Sequence, residues 1–188
     1  MTMLKATQAQ APKVRVDTSH RYGDLVVHDH LEFDVKTNEF VCICGPSGCG
    51  KTTLLDTLSG ILKPTRGEVL IDGTPADPKA HSISFVFQEP STFPWLTVRE
   101  NVGTGLRIRG GSKEEIDRKV DETIGIVGLK GFENYYPHQI SGGMKQRVAI
   151  ARAFATDADL ILMDEPFVSL DQPTRERMQR EVLDIWGR

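Results

Sequence analysis

One short segment constrains the fold more than any other part of the 188-residue chain, the glycine-rich stretch GPSGCGKT at residues 45–52. It matches the pattern G-x-x-x-x-G-K-[S/T], and it lies between the apolar run 40–44 and the helix-forming run 51–59. Glycines let backbone N–H groups turn inward onto an anion, and the helix that follows offers its positive N-terminus. The segment therefore predicts a phosphate-binding loop between a buried strand and a helix, in an α/β fold.

Composition and charge exclude several classes of protein. The 23 Lys and Arg residues are outnumbered by 26 Asp and Glu residues, so the formal net charge is −3, far from the strongly basic character of a general nucleic-acid binder. No apolar run approaches the roughly 18 residues of a membrane-spanning helix, and residues 1–16 contain no apolar run of the secretory type. We therefore expect a cytosolic protein with no nucleic-acid partner.

The three cysteines, Cys42, Cys44 and Cys49, all lie in the stretch around the glycine-rich loop. An odd number of cysteines in a chain without an export signal argues against a disulfide framework. No further Cys or His follows nearby to complete a zinc site. We interpret the cysteines as small apolar residues of a strand and of the loop after it.

Short apolar or alternating runs bounded by turn residues predict strands in the first half of the chain. These strands cover residues 13–16, 24–28, 31–35, 40–44, 67–73 and 82–88. A further short apolar strand is predicted at 159–163, and a charged amphipathic helix at 173–186. Strands separated by helices predict a mainly parallel sheet core, with an antiparallel β part at the N-terminus.

The middle of the chain has a helical character. Thr97 and Ser112 each begin a capping box of the S/T-x-x-E type, the signature of a helix N-terminus. The second of these helices carries an apolar stripe at steps of three and four, formed by Ile116, Val120, Ile124 and Val127. We expect an inserted α-helical subdomain at about residues 90–155, within a single domain that covers residues 1–188.

A pair of carboxylates closes the strand of the segment LILMDEP. Asp164 follows four apolar residues, where a phosphate-binding loop needs a second carboxylate on the metal side. Glu165 comes next, in position to polarise a water in line with the γ-phosphate. Lys51 would reach the β- and γ-phosphates, and the Thr52 hydroxyl would ligate Mg²⁺. Together these residues predict a nucleoside triphosphatase that uses Mg²⁺, whereas the alternative is a solvated acidic pair at a strand end.

The segment SGGMKQR at residues 141–147 opens the helical run VAIARAFA. It resembles the signature motif of ATP-binding cassette (ABC) proteins. A Ser-Gly-Gly turn at a helix N-terminus offers free N–H groups to anionic oxygens. In that family, the turn of one subunit closes over the ATP held by the loop of its partner. The resemblance therefore implies a head-to-tail dimer of two copies of this chain with two ATP molecules between them.

The resemblance covers residues 12–188 and includes further landmarks. Gln88, at a strand end, looks like the family's glutamine that reaches the Mg²⁺ and the water. Residues 169–171 look like the loop that crosses the dimer interface. Tyr22 lies about where the family places an aromatic ring stacked on adenine, and the alternative for Tyr22 is a partly buried turn tyrosine.

The resemblance implies three sets of site residues. The ATP contacts are Tyr22, Gly45, Pro46, Ser47, Gly48, Cys49, Gly50, Lys51, Thr52, Thr53, Ser141, Gly142, Gly143 and Asp171. The Mg²⁺ ligands are Thr52, Gln88 and Asp164, and the catalytic residues are Glu165, Gln88 and Lys51.

Within the family, the run from Gln88 through PWLTV to Asn101 and Val102 resembles the ATPase subunits of nitrate, sulfonate and taurine importers. There, the face after the glutamine receives a short coupling helix of the membrane permease. A docking patch is therefore expected at Phe93, Pro94 and Trp95, and the alternative is helical-subdomain core. The resemblance also implies an external solute-binding protein and a location on the cytoplasmic face of the cell (inner) membrane.

The chain departs from the family pattern in several places. Thr52-Thr53 stands where the family often has Ser-Thr, and Ile140 stands where Leu is usual. Val168 stands where Gly is common. Because a β-branched residue disfavours positive φ, we expect Val168 to alter the loop before Ser169. In the family, a histidine that contacts the γ-phosphate follows the two carboxylates, after one more helix and one more strand. The five histidines here all precede the signature motif, and they are His20, His28, His30, His81 and His138.

These departures leave alternatives open. We expect the chain to be truncated at its C-terminus, and a module that binds ATP with little or no hydrolysis is the alternative to an importer ATPase. A non-transport ABC ATPase acting on DNA is a further alternative. The short interval between Gln88 and Ser141 disfavours it, because such proteins interrupt the cassette with coiled coils or zinc modules.

Overall fold

The computed structural model of the chain describes residues 11–186, with side chains up to residue 184. It consists of two compact units, divided between His81 and Ser82. Residues 1–10, which carry most of the N-terminal segment used for the secretion argument, lie outside the described residues. No helix within 11–186 is both long and apolar enough to span a bilayer. The single-domain organisation stays a prediction.

Within residues 11–81, the first unit contains an antiparallel sheet with the strand order β2-β1-β3-β4 and one helix. Its elements are β1 (Val14–Tyr22), β2 (Leu25–Val35), α1 (Lys51–Leu58), β3 (Arg66–Ile71) and β4 (Thr74–Pro75). Alternate residues of β1, including Val14 and Val16, face the interior, and α1 buries Leu54, Leu55 and Leu58. The predicted antiparallel N-terminal part is therefore confirmed.

Two predicted strands, 24–28 and 31–35, form the single strand β2. The pairing of β1 with β2 is irregular in two places. The register shifts on both sides of His20 in β1, and His30 in β2 has a positive φ of 48°. Strand β1 extends to Tyr22, well beyond the predicted 13–16, because it pairs with β2 along its whole length.

The predicted strand at 40–44 is wrong. This segment is irregular, and Phe40, Val41 and Ile43 are 48%, 44% and 37% exposed. The four strands of the first unit pair with one another, and residues 40–44 do not join their sheet. An apolar run indicates a tendency toward burial, but a strand also requires a hydrogen-bonded neighbour, which the run itself does not specify.

The second unit combines a parallel strand pair with helices. Its elements are β5 (Ile83–Val86), α2 (Val98–Val102), α3 (Thr104–Ile108), α4 (Lys113–Ile126), a 3₁₀ turn (Pro137–Gln139), α5 (Gly142–Ala155), β6 (Leu160–Met163) and α6 (Gln172–Trp186). Strands β5 and β6 are parallel neighbours, with Ile83 opposite Leu160 and Val86 opposite Met163. The α/β class with antiparallel and parallel sheets is confirmed, although the parallel part lacks the strand expected at 40–44.

Helices α2–α5 lie between β5 and β6 in the chain, as the capping boxes predict. Thr97 forms the complete box with Glu100, whereas Ser112 accepts a hydrogen bond from the N–H of Glu115. The apolar stripe of α4 packs into the core of the unit, where Val120 and Ile124 are almost wholly buried.

Candidate functional site

The glycine-rich loop leads directly into α1, which begins at Lys51. Gly48 and Gly50 have φ values of 79° and 94°, in the left-handed region that disfavours residues with a Cβ. A Cβ on Gly50 would also fall 2.4 Å from Cγ1 of Val27 in β2. The loop conformation thus requires glycine at these positions. The loop ends at the N-terminus of an eight-residue helix, whose first N–H groups have no acceptor within the helix.

The side chain of Lys51 folds back over this loop. Its ammonium donates hydrogen bonds to the carbonyl oxygens of Gly45, at 3.0 Å, and Pro46, at 3.1 Å. Thr52 and Thr53 lie in the first turn of α1, and Thr52 is exposed. An ammonium group, helix N-terminal amides and hydroxyls are donors that fit a polyphosphate.

Tyr22, the residue predicted to stack on adenine, lies where β1 turns into β2. It pairs with Leu25 across the turn, and Leu25 is two residues before Val27, which packs beside Gly50 of the loop. The Tyr22 ring is 53% exposed. A ring at the end of a hairpin and open to solvent has a free face for stacking.

Gln88 and the two predicted carboxylates follow the carboxyl ends of the parallel strands β5 and β6. The N–H of Asp164 donates to the carbonyl of Val86 at 2.9 Å, which continues the strand pairing, and Asp164 is only 5% exposed. The amide Nε2 of Gln88 donates to Oε2 of Glu165 at 3.5 Å. The second unit thus brings together three predicted site residues, whose carboxylate and amide oxygens are suitable ligands for Mg²⁺.

Glu165 has an unusual backbone conformation. Its φ is 44°, a left-handed value that costs a residue with a side chain about 1 kcal/mol. Its carbonyl accepts a hydrogen bond from the N–H of Val168 at 3.2 Å, which closes a turn directly after β6. Such strain is concentrated at functional sites.

The signature segment and residues 169–171 line one cleft of about 250 Å³. Ser141 caps α5, where its Oγ accepts from the N–H of Met144 at 3.3 Å, and Gly142 and Gly143 form the first turn. The cleft residues are Ser141, Gly143, Arg147, Ser169, Leu170, Asp171 and Thr174.

Asp171 has a structural partner that the sequence did not reveal. Its carboxylate accepts from the N–H of Thr174 at 3.2 Å and from the Thr174 hydroxyl at 2.8 Å, at the start of α6. The preceding loop is held by Arg175, which donates to the carbonyls of Phe167 at 3.2 Å and Leu170 at 3.0 Å. Val168 is not among the described residues with positive φ, so the loop accommodates its branched side chain.

Sequence reasoning missed Arg147 as a residue of the cleft. Its guanidinium donates to the carbonyls of Val127 and Gly128, each at 3.1 Å, after α4. Burial, and then the neighbouring Arg177, lower the pKa of Arg147, while Asp171 opposes this effect. Because Arg147 is four residues after Gly143, helical spacing was the signal that could have found it.

The segment after Gln88 presents an exposed aromatic surface. Trp95 is 70% exposed, Pro94 is exposed, and Phe93 is half-buried with its ring 5.7 Å from that of Trp95. The guanidinium of Arg152 lies 5.3 Å from the Phe93 ring centroid. The core alternative therefore does not hold for Pro94 and Trp95.

The chain is similar to two curated import proteins. It is 47% identical over 169 residues to the sulfate/thiosulfate import ATP-binding protein CysA of Mycobacterium bovis, a match that covers 88% of this chain and 48% of the relative. It is 49% identical over 156 residues to the taurine import ATP-binding protein TauB of Pelagibacter ubique, covering 83% and 59%. The chain thus spans about half of the length of these relatives.

Two solved structures resemble the fold. A dimeric ATP-binding cassette in a post-hydrolysis state, bound to ADP and phosphate, has a TM-score of 0.81 and 36% identity, over 92% of this chain and 82% of that one. The second structure, cbiO1 of Clostridium perfringens, part of the ABC transporter complex cbiONQ, has a TM-score of 0.82 and 27% identity, over 94% of this chain and 74% of that one. A family model described as ABC transporter matches residues 28–168, and the chain therefore belongs to the ABC transporter family.

Proposed function

We propose that this chain is the ATP-binding and ATP-hydrolysing part of an ABC importer. The observation that carries the proposal is the contact between Gln88 and Glu165, 3.5 Å apart beside the buried Asp164, at the ends of two parallel strands. A carboxylate with a hydrogen-bonded amide beside it is suited to orient and deprotonate a water. The glycine-rich loop of the first unit supplies the donors for a triphosphate.

In this proposal, the loop amides and Lys51 bind the phosphates, and Thr52, Gln88 and Asp164 would hold Mg²⁺. The ion, when bound, neutralises charge on the phosphates. Glu165 accepts a proton from the attacking water at its carboxylate. Tyr22 receives the adenine ring on its exposed face.

We further propose that two copies assemble head to tail, with Ser141, Gly142 and Gly143 of one copy completing the ATP site of the other. The cleft that contains the N-terminus of α5 supports this role, because helix N-terminal amides bind anionic oxygens. The capping of α6 by the Asp171 carboxylate indicates that Asp171 shapes this cleft, besides its proposed contact with ATP.

The transport role is inferred from the relatives and from the aromatic surface. Sulfate, thiosulfate and taurine appear in the relatives' names, and we propose a small anionic solute such as nitrate, sulfonate or taurine. Phe93, Pro94 and Trp95 form the patch that receives the permease, since a largely exposed Trp beside a second aromatic ring is typical of interfaces. An external solute-binding protein would deliver the solute, and the chain would lie on the cytoplasmic face of the membrane.

The test is phosphate release and ATP binding by the purified chain with Mg²⁺. We expect Glu165→Gln to abolish release while binding persists, and Lys51→Ala to weaken binding. The matched control is Glu89→Gln, an exposed neighbour of Gln88 outside the proposed machinery. Binding without release by the unaltered chain would favour the ATP-binding module without hydrolysis, and absence of both would refute the proposal.

A further inference from the structure

His20 is a buried side chain with no polar partner. It lies near the end of β1 and is 5% exposed, and neither of its ring nitrogens has a hydrogen-bond partner among the described residues. Buried polar groups are almost always hydrogen-bonded, since an unpaired one loses its hydration without compensation. An aliphatic residue would fill this position without that loss, so the aromatic ring itself is the property to explain.

The ring of His20 packs against the ring of Tyr22. Their centroids are 4.7 Å apart and their planes meet at 73°, an edge-to-face arrangement. Such pairs are favourable beyond the area that they bury. Because Tyr22 is more than half exposed, this contact restricts a side chain that solvent would otherwise leave free to change rotamer.

The local backbone directs His20 into this contact. The pairing of β1 with β2 shifts its register on both sides of His20, the mark of a bulge, which re-aims a side chain. The His28 ring is a second ring neighbour of His20, with centroids 6.1 Å apart, and Nε2 of His28 lies 3.1 Å from Oγ1 of Thr18. The buried His20 ring thus has two ring neighbours, His28 beside Thr18 and the exposed Tyr22.

We propose that His20 is a positioning residue for recognition of the nucleotide base. It holds the Tyr22 ring in the orientation that leaves one face open for adenine, next to the glycine-rich loop that Val27 contacts. This inference rests on the proposed nucleotide site and adds a residue that acts only on the base, through Tyr22. The phosphates are bound elsewhere in the unit, by the loop and α1, so the two parts of the ligand can be measured separately.

The experiment compares equilibrium binding of ATP with that of inorganic tripolyphosphate, which has no base, to the purified chain. We expect His20→Ala and His20→Leu to weaken ATP binding about three- to tenfold, the size of an aromatic pair interaction, and to leave tripolyphosphate binding unchanged. His20→Phe should restore ATP binding, because it restores the ring. The control is His30→Ala, an exposed histidine of the same hairpin, which should change neither affinity.

A double-mutant cycle with Tyr22→Ala provides the second readout. If His20 acts through Tyr22, His20→Leu has no further effect on ATP binding once Tyr22 is removed. The inference would be overturned if His20→Leu lowered the ATP affinity equally with and without Tyr22. It would also be overturned if the His20 variants lost as much affinity for tripolyphosphate as for ATP, or lost no more ATP affinity than His30→Ala. A separate result would show that the proposed nucleotide site is wrong. In that case, Lys51→Ala would leave the affinities for both ATP and tripolyphosphate unchanged.

Discussion

The side chain of Asn101 and the backbone of Phe93 are joined by two hydrogen bonds of opposite direction. The N–H of Phe93 donates to Oδ1 of Asn101 at 2.8 Å, and Nδ2 donates back to the Phe93 carbonyl at 3.1 Å. Nδ2 also donates to the carbonyls of Leu96 and Thr97, each at 2.9 Å. One wholly buried amide therefore fixes the loop that presents Trp95.

We expect Asn101→Ala to lower the free energy of unfolding by about 2–3 kcal/mol, because it leaves buried backbone groups of this loop without partners. Urea denaturation measures the change. Asn134→Ala, at an exposed asparagine, is the control and should change stability by less than about 0.5 kcal/mol. Equal stability of the two variants would show that water replaces the amide.

The two left-handed glycines of the loop provide a matched pair. A Cβ at Gly48 meets nothing within 4 Å, so Gly48→Ala should cost only backbone strain, about 1 kcal/mol. Gly50→Ala should cost more, because its Cβ would fall 2.4 Å from Val27. Thermal unfolding measures both.

The steric origin of the Gly50 effect has its own check. Val27→Ala should recover part of the stability lost in Gly50→Ala, although it is destabilising alone. Additive losses in the double variant would mean that strain, and not the Val27 contact, dominates at Gly50.

The positive φ of Glu165 predicts a conflict between stability and activity. Glu165→Gly and Glu165→Gln both remove the carboxylate, and we expect the glycine variant to be about 1 kcal/mol more stable than the glutamine variant, because glycine relieves the strain. Both should fail to release phosphate. Glu89, where φ is not positive, is the control. There, the glycine variant should be less stable than the glutamine variant, because glycine only increases the conformational entropy of the unfolded chain.

Acidification should destabilise the first unit through His28. Burial, and next the proximity of His20, lower the pKa of His28 in the folded state, and Thr18 is its other neighbour on β1. As the pH falls, His28 therefore becomes protonated in the unfolded chain before it does so in the folded chain. The contribution of neutral His28 to the free energy of unfolding is present above the ordinary histidine pKa of about 6.5, and it is lost as the pH falls from there toward the lower pKa of the folded state. Between neutral and mildly acidic pH, the urea midpoint of His28→Gln should fall less steeply with pH than that of the unaltered chain. If both midpoints fall equally steeply, other titrating groups cause the acid destabilisation.

Local patterns predicted the helices of the candidate site well. The run that begins at Lys51 forms α1, Thr97 forms its capping box with Glu100, and Ser141 caps α5. Each of these features is decided within a single turn of chain, where the interacting groups are three or four residues apart. The same holds for the buried stripe of α4.

Contacts between distant residues escaped prediction. Residues 40–44 have the composition of a buried strand but do not join the sheet of the first unit, and the guanidinium of Arg147 donates to the carbonyls of Val127 and Gly128 after α4. Both outcomes depend on which neighbour the backbone or side chain meets, which composition does not encode. The truncation expected for the chain stays a prediction.

By itself, the sequence determined the glycine-rich loop with its following helix, the helix caps and the family to which the chain belongs, because these depend on residues that are close along the chain. Only the tertiary structure decided that Gln88 meets Glu165 across 77 positions, and that His20 is buried against the exposed ring of Tyr22. Strand register decides these contacts, and a shift of one residue would turn the same side chains to the opposite face of the sheet.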